Sequence, residues 1–305
     1  MPPEQNMIYA YRPLALLRVS GEDAHSFLQG QFTNDLRQGE GVATYGLWLN
    51  QKGKVVADSH VLNLGGDSFY VISVASSEAV IRQRLEAYVV ADDVVFGDET
   101  ETAHGLYVTG IQNEETIVRV FGGLPKAGKF LLCNGVMILR GSRLRTDNFE
   151  IIGTAEKLAE LRRDFIAHGA VEAGSTAVEL ARILEVVPAV PVDLGPADLP
   201  NEGGLEETVI SYTKGCYLGQ EVMARLKNLG QVRRRLHLVG GEGAPPPLAT
   251  ALFQGPRRAG EIRSATGAEG GFVALAMLSL VGLDLTVGFS LEPDGPCTIR
   301  SRAHG

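Results

Sequence analysis

Cysteine is scarce in this chain of 305 residues: Cys133, Cys216 and Cys297 are its only three, far apart and without a CxxC pair. That excludes a disulfide framework and suits free thiols in a reducing compartment. The six histidines supply no HxxxH or HxH pair, so local sequence builds no metal site. A GxSxG nucleophile elbow is absent as well. Basic residues are the minority charge, 28 against 36 acidic, for a net charge of −8. No overall basic surface invites nucleic acid or an anionic membrane, so direct nucleic-acid binding is not expected. The start, MPPEQNMIYAYRPLALL, has no basic segment leading into an apolar one, and a cytoplasmic protein is the default expectation. The one long apolar run, residues 271–291, contains Asp284 and is interrupted by Gly282 and Gly288. Two buried strands joined by a turn are expected there rather than a membrane span.

What is present is ordinary globular composition, at a length that calls for two or three cores. Ser20-Gly-Glu-Asp23 reads as a capping box, followed at helical spacing by Ala24, Phe27, Leu28, Phe32 and Leu36. TYGLWLN, KVVADSHVLNL and SFYVISV read as strands, the last two joined by a hairpin at Gly65-Gly66. Ser77, Thr154 and Ser175 open helices, while TIVRVFG and GVMILRG read as strands. From about residue 231 short strands alternate with glycines and prolines, the mark of a small all-β barrel or sandwich, with GGEGAPPPLAT as a loop inside it. The expected class is α+β: an α+β region over residues 1–228 and a C-terminal antiparallel β-barrel over 229–305.

GGLPKAGKF, residues 122–130, nearly spells a phosphate-binding loop, but Phe130 replaces the magnesium-binding hydroxyl and a strand follows. A basic hairpin turn is the better reading. TKGCYLGQEV, residues 213–222, is different, because Cys216 sits among polar residues just before a helix start at Gly219. Lys214, two residues away in an extended segment, would share its face and favour the thiolate. Glu221, paired with Arg225 at helical spacing, works against that effect. A reactive thiol and a buried small residue both fit the local chemistry. Glu202, in the loop LPNEGGLEE, could accept two parallel hydrogen bonds from a planar amidine-like edge, or simply face solvent. Arg233-Arg234-Arg235, on a strand, could meet an anionic ligand or serve as a charged edge.

Together these pieces resemble the YgfZ family, a branch of the glycine-cleavage T-protein superfamily. The resemblance rests on the ordered motif Lys214, Gly215, Cys216, Tyr217, Gly219, Gln220, Glu221 and then Arg225. VSGEDAHSFLQGQFTNDL, GLWLNQKGKVVAD and the C-terminal segments extend it over nearly the whole chain. It implies two α+β lobes forming a folate-binding body, plus the barrel, around a central opening. It implies tetrahydrofolate or a one-carbon derivative as ligand, with Glu202 at the pterin edge and Arg182 among the folate contacts. It also implies iron–sulfur assembly or client proteins as partners, a link to tRNA modification, and a functional role for Cys216. A lone cysteine cannot hold a cluster by itself, so any cluster role needs ligands from partners.

Two other readings stand beside this one. A T-protein-like aminomethyl transferase would need an acidic residue near the folate amine. The segment matched to that region, SFYVISVASSEAVIRQRL, has no aspartate before Asp92. A non-catalytic scaffold would use the arginine run to dock a protein or RNA.

Overall fold

The computed structural model describes residues 6–302. Three sheets organise it. The first is five-stranded and antiparallel, in the spatial order Ala43–Leu49, Val55–Gly65, Ser68–Ser73, Ala15–Ser20, Val95–Asp98. Alternation along these strands sends Leu17, Val19, Ala57, Val61 and Val71 to one face, against Phe27, Leu28, Ile81 and Leu85 of helices Ala24–Gln31 and Glu78–Glu86. Leu16, Leu62 and Ile72 point the other way and meet Phe130, Met137, Leu139 and Ile152 of the second sheet. That second sheet has six strands, ordered Val171–Glu172, Met7–Tyr11, His104–Thr109, Asn148–Gly153, Val136–Arg140, Phe130–Cys133. Its far face is covered by helices Ile111–Phe121 and Ala155–Ala167.

The third sheet is a curled antiparallel half-barrel, in the order Ala251–Gln254, Arg257–Ala268, Gly271–Ser279, Arg234–Gly241, Ile299–Ser301. One core joins the first sheet to the half-barrel. Leu47, Leu49 and Val55 of the first sheet pack with Ile183, Val190, Val209, Tyr217 and Met223 of the connecting segment, and with Leu236, Leu275 and Met277 of the half-barrel. The GGEGAPPPLAT stretch lies between two strands of the half-barrel, as expected.

Four local expectations are corrected. TIVRVFG is not a strand: it ends the helix Ile111–Phe121, held between Gly110 at φ 99° and Gly122 in the left-handed region. Its β-branched residues suggested a strand, but Thr116 and Ile117 bury against the second sheet from a helix, and packing overrides propensity. Ser20 forms no capping box, because it is the last residue of strand Ala15–Ser20 and the helix starts at Ala24 without a side-chain cap. Of the 271–291 run only Gly271–Ser279 is a strand; the remainder makes single bridges through Phe289 and Ser290. The arginine run is only partly on a strand: Arg233 precedes Arg234–Gly241, while Arg234 and Arg235 pair on one side alone, because Ile299–Ser301 reaches only Val239–Gly241. No helix among the described residues is long and apolar enough to cross a membrane.

Candidate functional site

The motif Lys214–Glu221 packs on the turn Asn50–Lys54 and the end of the first helix. Gly219 takes φ 86°, and a Cβ there would lie 3.0 Å from the Asn50 carbonyl oxygen, so only glycine lets the two segments touch. Gly53 faces the start of helix Gln220–Leu229 in the same way, against Val222 and Met223. The Leu218 N–H donates to the Gly30 carbonyl at 3.2 Å. The two blocks GLWLNQKGKVVAD and KGCYLGQE are therefore one structural unit.

Lys214 is buried, and its ammonium donates to the carbonyls of Gln29 (2.7 Å), Phe32 (2.7 Å) and Asn34 (2.9 Å). These carbonyls lie at the C-terminal end of helix Ala24–Gln31, where a cation completes the open acceptors. Burial brings the Lys214 pKa down to about 8, with Asp35 opposing. Cys216 is exposed. The shared face expected from the two-residue spacing is thus corrected: the lysine turns inward to the carbonyls while the thiol faces solvent. Tyr217 is buried in the central core, and its hydroxyl has no partner among the described residues. Gly215, Glu221 and Arg225 are exposed and Gln220 is half-buried, with Gln220 opening the helix that was expected from Gly219.

Glu202 is buried in a short 3-10 turn, Pro200–Gly203. Its carboxylate takes Arg234 Nε at 3.0 Å and Nη2 at 2.9 Å, and the Leu199 N–H at 2.7 Å. Asp198, also buried, accepts from Arg234 at 3.1 Å and from both Nη atoms of Arg263 at 3.1 Å. Of the arginine run, Arg234 therefore ties this loop to the half-barrel, while Arg233 and Arg235 are exposed. A ligand at Glu202 would share its carboxylate with Arg234 or displace that arginine.

Arg182 is buried on helix Ser175–Leu184 and donates to Asp193 (2.6 Å), Val187 O (2.6 Å), Ser264 Oγ (2.9 Å) and both oxygens of Glu179. All its N–H groups are engaged. Burial works against its charge, and Asp193 and Glu179 more than restore it. Just beyond the helix Val186 takes φ 53°, costly for a β-branched residue, and turns the chain into the stretch Val187–Val190.

That stretch, Arg182 and the first sheet enclose a cavity of about 130 Å³ that sequence reasoning did not foresee. Asp58 and His60 alternate on strand Val55–Gly65 and so share the face turned toward the second sheet. The Asp58 carboxylate accepts from Tyr45 (2.9 Å), Ser73 (2.9 Å) and Ser76 (2.8 Å). Burial raises its pKa, and the three hydroxyls pull the other way. Burial lowers the His60 pKa to about 4, so the ring is neutral at pH 7. Arg143, paired with Glu150 at 2.6 Å, closes the side toward the second sheet, and Ile72, Val178 and Val190 supply apolar wall. The signal in the sequence that points to this cavity is the polar pair at alternate positions of an otherwise apolar strand, VVADSHVL. Among the described residues no group of three or more His, Cys, Asp or Glu is placed to hold a metal ion.

Comparison with known proteins places this geometry in a family. Residues 5–213 match the family model of the GCVT N-terminal domain. The curated tRNA-modifying protein YgfZ of Shigella sonnei (strain Ss046) is 27% identical over 319 residues, covering 99% of this chain and 94% of that protein. Its Escherichia coli (strain K12 / DH10B) counterpart gives the same figures. Among solved structures, the glycine cleavage system aminomethyltransferase T from Bartonella henselae superposes with a TM-score of 0.81 at 16% identity, over 98% of this chain and 86% of that one. At that identity the likeness speaks for the fold. The chain belongs to the GCVT N-terminal domain family and, within that superfamily, to the YgfZ family.

Proposed function

We propose that this protein is a folate-binding accessory factor of the YgfZ type, serving iron–sulfur proteins and through them tRNA modification. The observation that carries the reading is the cavity between the first sheet, helix Ser175–Leu184 and the stretch Val187–Val190, with its buried polar wall, in a chain whose thiol is displayed on a braced loop. Relatives named for tRNA modification support the role.

The residues fit a reduced folate. The cavity is small beside the several hundred Å³ that hold a whole drug-sized molecule, so it has room for one flat ring system, with a longer tail passing outward. Ile72 and Val178 would offer apolar contact to a ring, and Asp58 and Glu179 are the carboxylates on the wall that could accept from its N–H groups. Reduced folate, when bound, supplies ring nitrogens able to carry a one-carbon unit. Cys216 is the group free to meet a partner protein or an oxidised or alkylated substrate. The test is a strain lacking the gene, complemented with the parent or Cys216→Ala. The proposal expects iron–sulfur enzyme activities restored by the parent only, with equal protein levels and equal folate binding. Full rescue by Cys216→Ala would remove the thiol from the function.

Asp58 favours a second reading, transfer of an aminomethyl group to the folate, because a buried carboxylate in the cavity could hold a substrate amine. It predicts methylene-tetrahydrofolate formed from an aminomethyl donor at a rate unchanged by Cys216→Ala.

A further inference from the structure

His60 is a polar side chain of the cavity wall with capacity to spare. It is only 8% exposed, and its ring lies against Tyr45, tilted by 37° at 4.9 Å between centroids, with no hydrogen bond to any described residue. Buried polar groups nearly always have a partner, since leaving one unpaired costs free energy. Its neighbours are engaged: Tyr45 by Asp58, Asp58 by three hydroxyls, Arg143 by Glu150 through Nε and Nη2, and Arg182 by Glu179, Asp193, Val187 and Ser264.

The placement is fixed by the sheet. His60 lies directly opposite Tyr45 on one neighbouring strand and Ile72 on the other, so the three form a row across the cavity floor. A side chain in the middle of such a row cannot swing away to solvent. The arginines of the wall are already paired, Arg143 with Glu150 and Arg182 with Glu179 and Asp193. The wall therefore offers no uncompensated positive charge to draw in a phosphate or carboxylate, and an uncharged ring bearing N–H groups needs none.

We propose that His60 is the specificity-determining contact of this cavity, a neutral imidazole that hydrogen-bonds directly to an uncharged N–H-bearing heterocycle. The inference rests on the folate reading and adds which residue reads the ring. A neutral imidazole offers one donor and one acceptor and can present either by choice of tautomer, which suits a ring carrying both.

The experiment titrates tetrahydrofolate, and separately a tetrahydropterin without the tail, into the parent, His60→Phe and His60→Gln by calorimetry under anaerobic conditions. His60→Phe keeps a flat ring on Tyr45 and removes the hydrogen bond. It should weaken both ligands about 10- to 100-fold, and His60→Gln should recover to within about fivefold of the parent. In the unaltered protein, labelled with ¹⁵N-histidine, the His60 ring signals should move on ligand addition; this decides the matter if His60→Phe does not fold. Binding to His60→Phe as tight as to the parent, or His60 signals that stay put while ligand binds, would overturn the inference and leave the folate reading standing. No binding of either ligand by the parent would overturn both.

Discussion

Lys214→Met tests whether the motif lysine braces the fold or activates the thiol. The ammonium makes three charge-assisted hydrogen bonds to carbonyls, two partly buried and one buried. At about 2 kcal/mol each these contribute about 6 kcal/mol. Burial, strong enough to bring the pKa to about 8, takes back about 3 kcal/mol. The net loss expected on replacing it with an apolar side chain of similar length is about 3 kcal/mol. With an unfolding entropy of about 2.1 cal/mol/K per residue, a chain of this length should melt about 5 °C lower. Thermal unfolding followed by circular dichroism at pH 7 reads this directly. Alkylation of Cys216 by iodoacetamide, followed by peptide mass mapping, is the companion assay. The structure predicts labelling at the parent's rate or faster, because the lysine faces the carbonyls and its loss loosens the loop. An unchanged melting temperature with labelling slowed severalfold would refute the reasoning and return Lys214 to the thiol.

Gly219→Ala forces a side chain into the left-handed region against the Asn50 carbonyl, and should cost about 2 kcal/mol in urea unfolding, with faster tryptic cleavage at Lys52. Arg234→Met strips one partner from the buried carboxylates Asp198 and Glu202, and should destabilise by about 2–4 kcal/mol; a variant within 0.5 kcal/mol of the parent would show that the clamp is idle. His60 should make stability pH-dependent. Its folded pKa of about 4 lies below the unfolded value of about 6.5, so the unfolded chain takes the proton first. Its contribution is full above pH 6.5 and falls by about 3 kcal/mol as pH drops to 4. Asp58, which faces it, is present in both proteins, and burial beside Asp58 holds the Tyr45 pKa far above this range, so the difference between parent and His60→Gln isolates it. A difference that stays constant from pH 7 to 4.5 would contradict the burial of a neutral ring.

The sequence made the fold legible where periodicity and glycine agreed. The alternation in KVVADSHVLNL and the Gly65-Gly66 turn located a hairpin, and Ser77 opened its helix as read. TIVRVFG failed because a β-branched run is ambiguous until it is known what it packs against. For the site, the spacing from Lys214 to Glu221 located the loop, and Cys216 is displayed on it. Which way Lys214 faced depended on carbonyls some 180 positions earlier in the chain, which local spacing cannot convey. Asp58 and His60 were hidden for the same reason. Only helix Ser175–Leu184, the stretch Val187–Val190 and the loop carrying Ser142 and Arg143, laid across them, turn two strand residues into a cavity floor.

The cavity as the folate site is tested most directly by filling it. Ala75, on its wall, is replaced by tryptophan and tetrahydrofolate is titrated into both proteins. The account predicts saturable one-to-one binding by the parent and none by Ala75→Trp, with the two proteins melting within a few degrees of each other. Equal binding by both would place the folate elsewhere on the molecule and contradict the account.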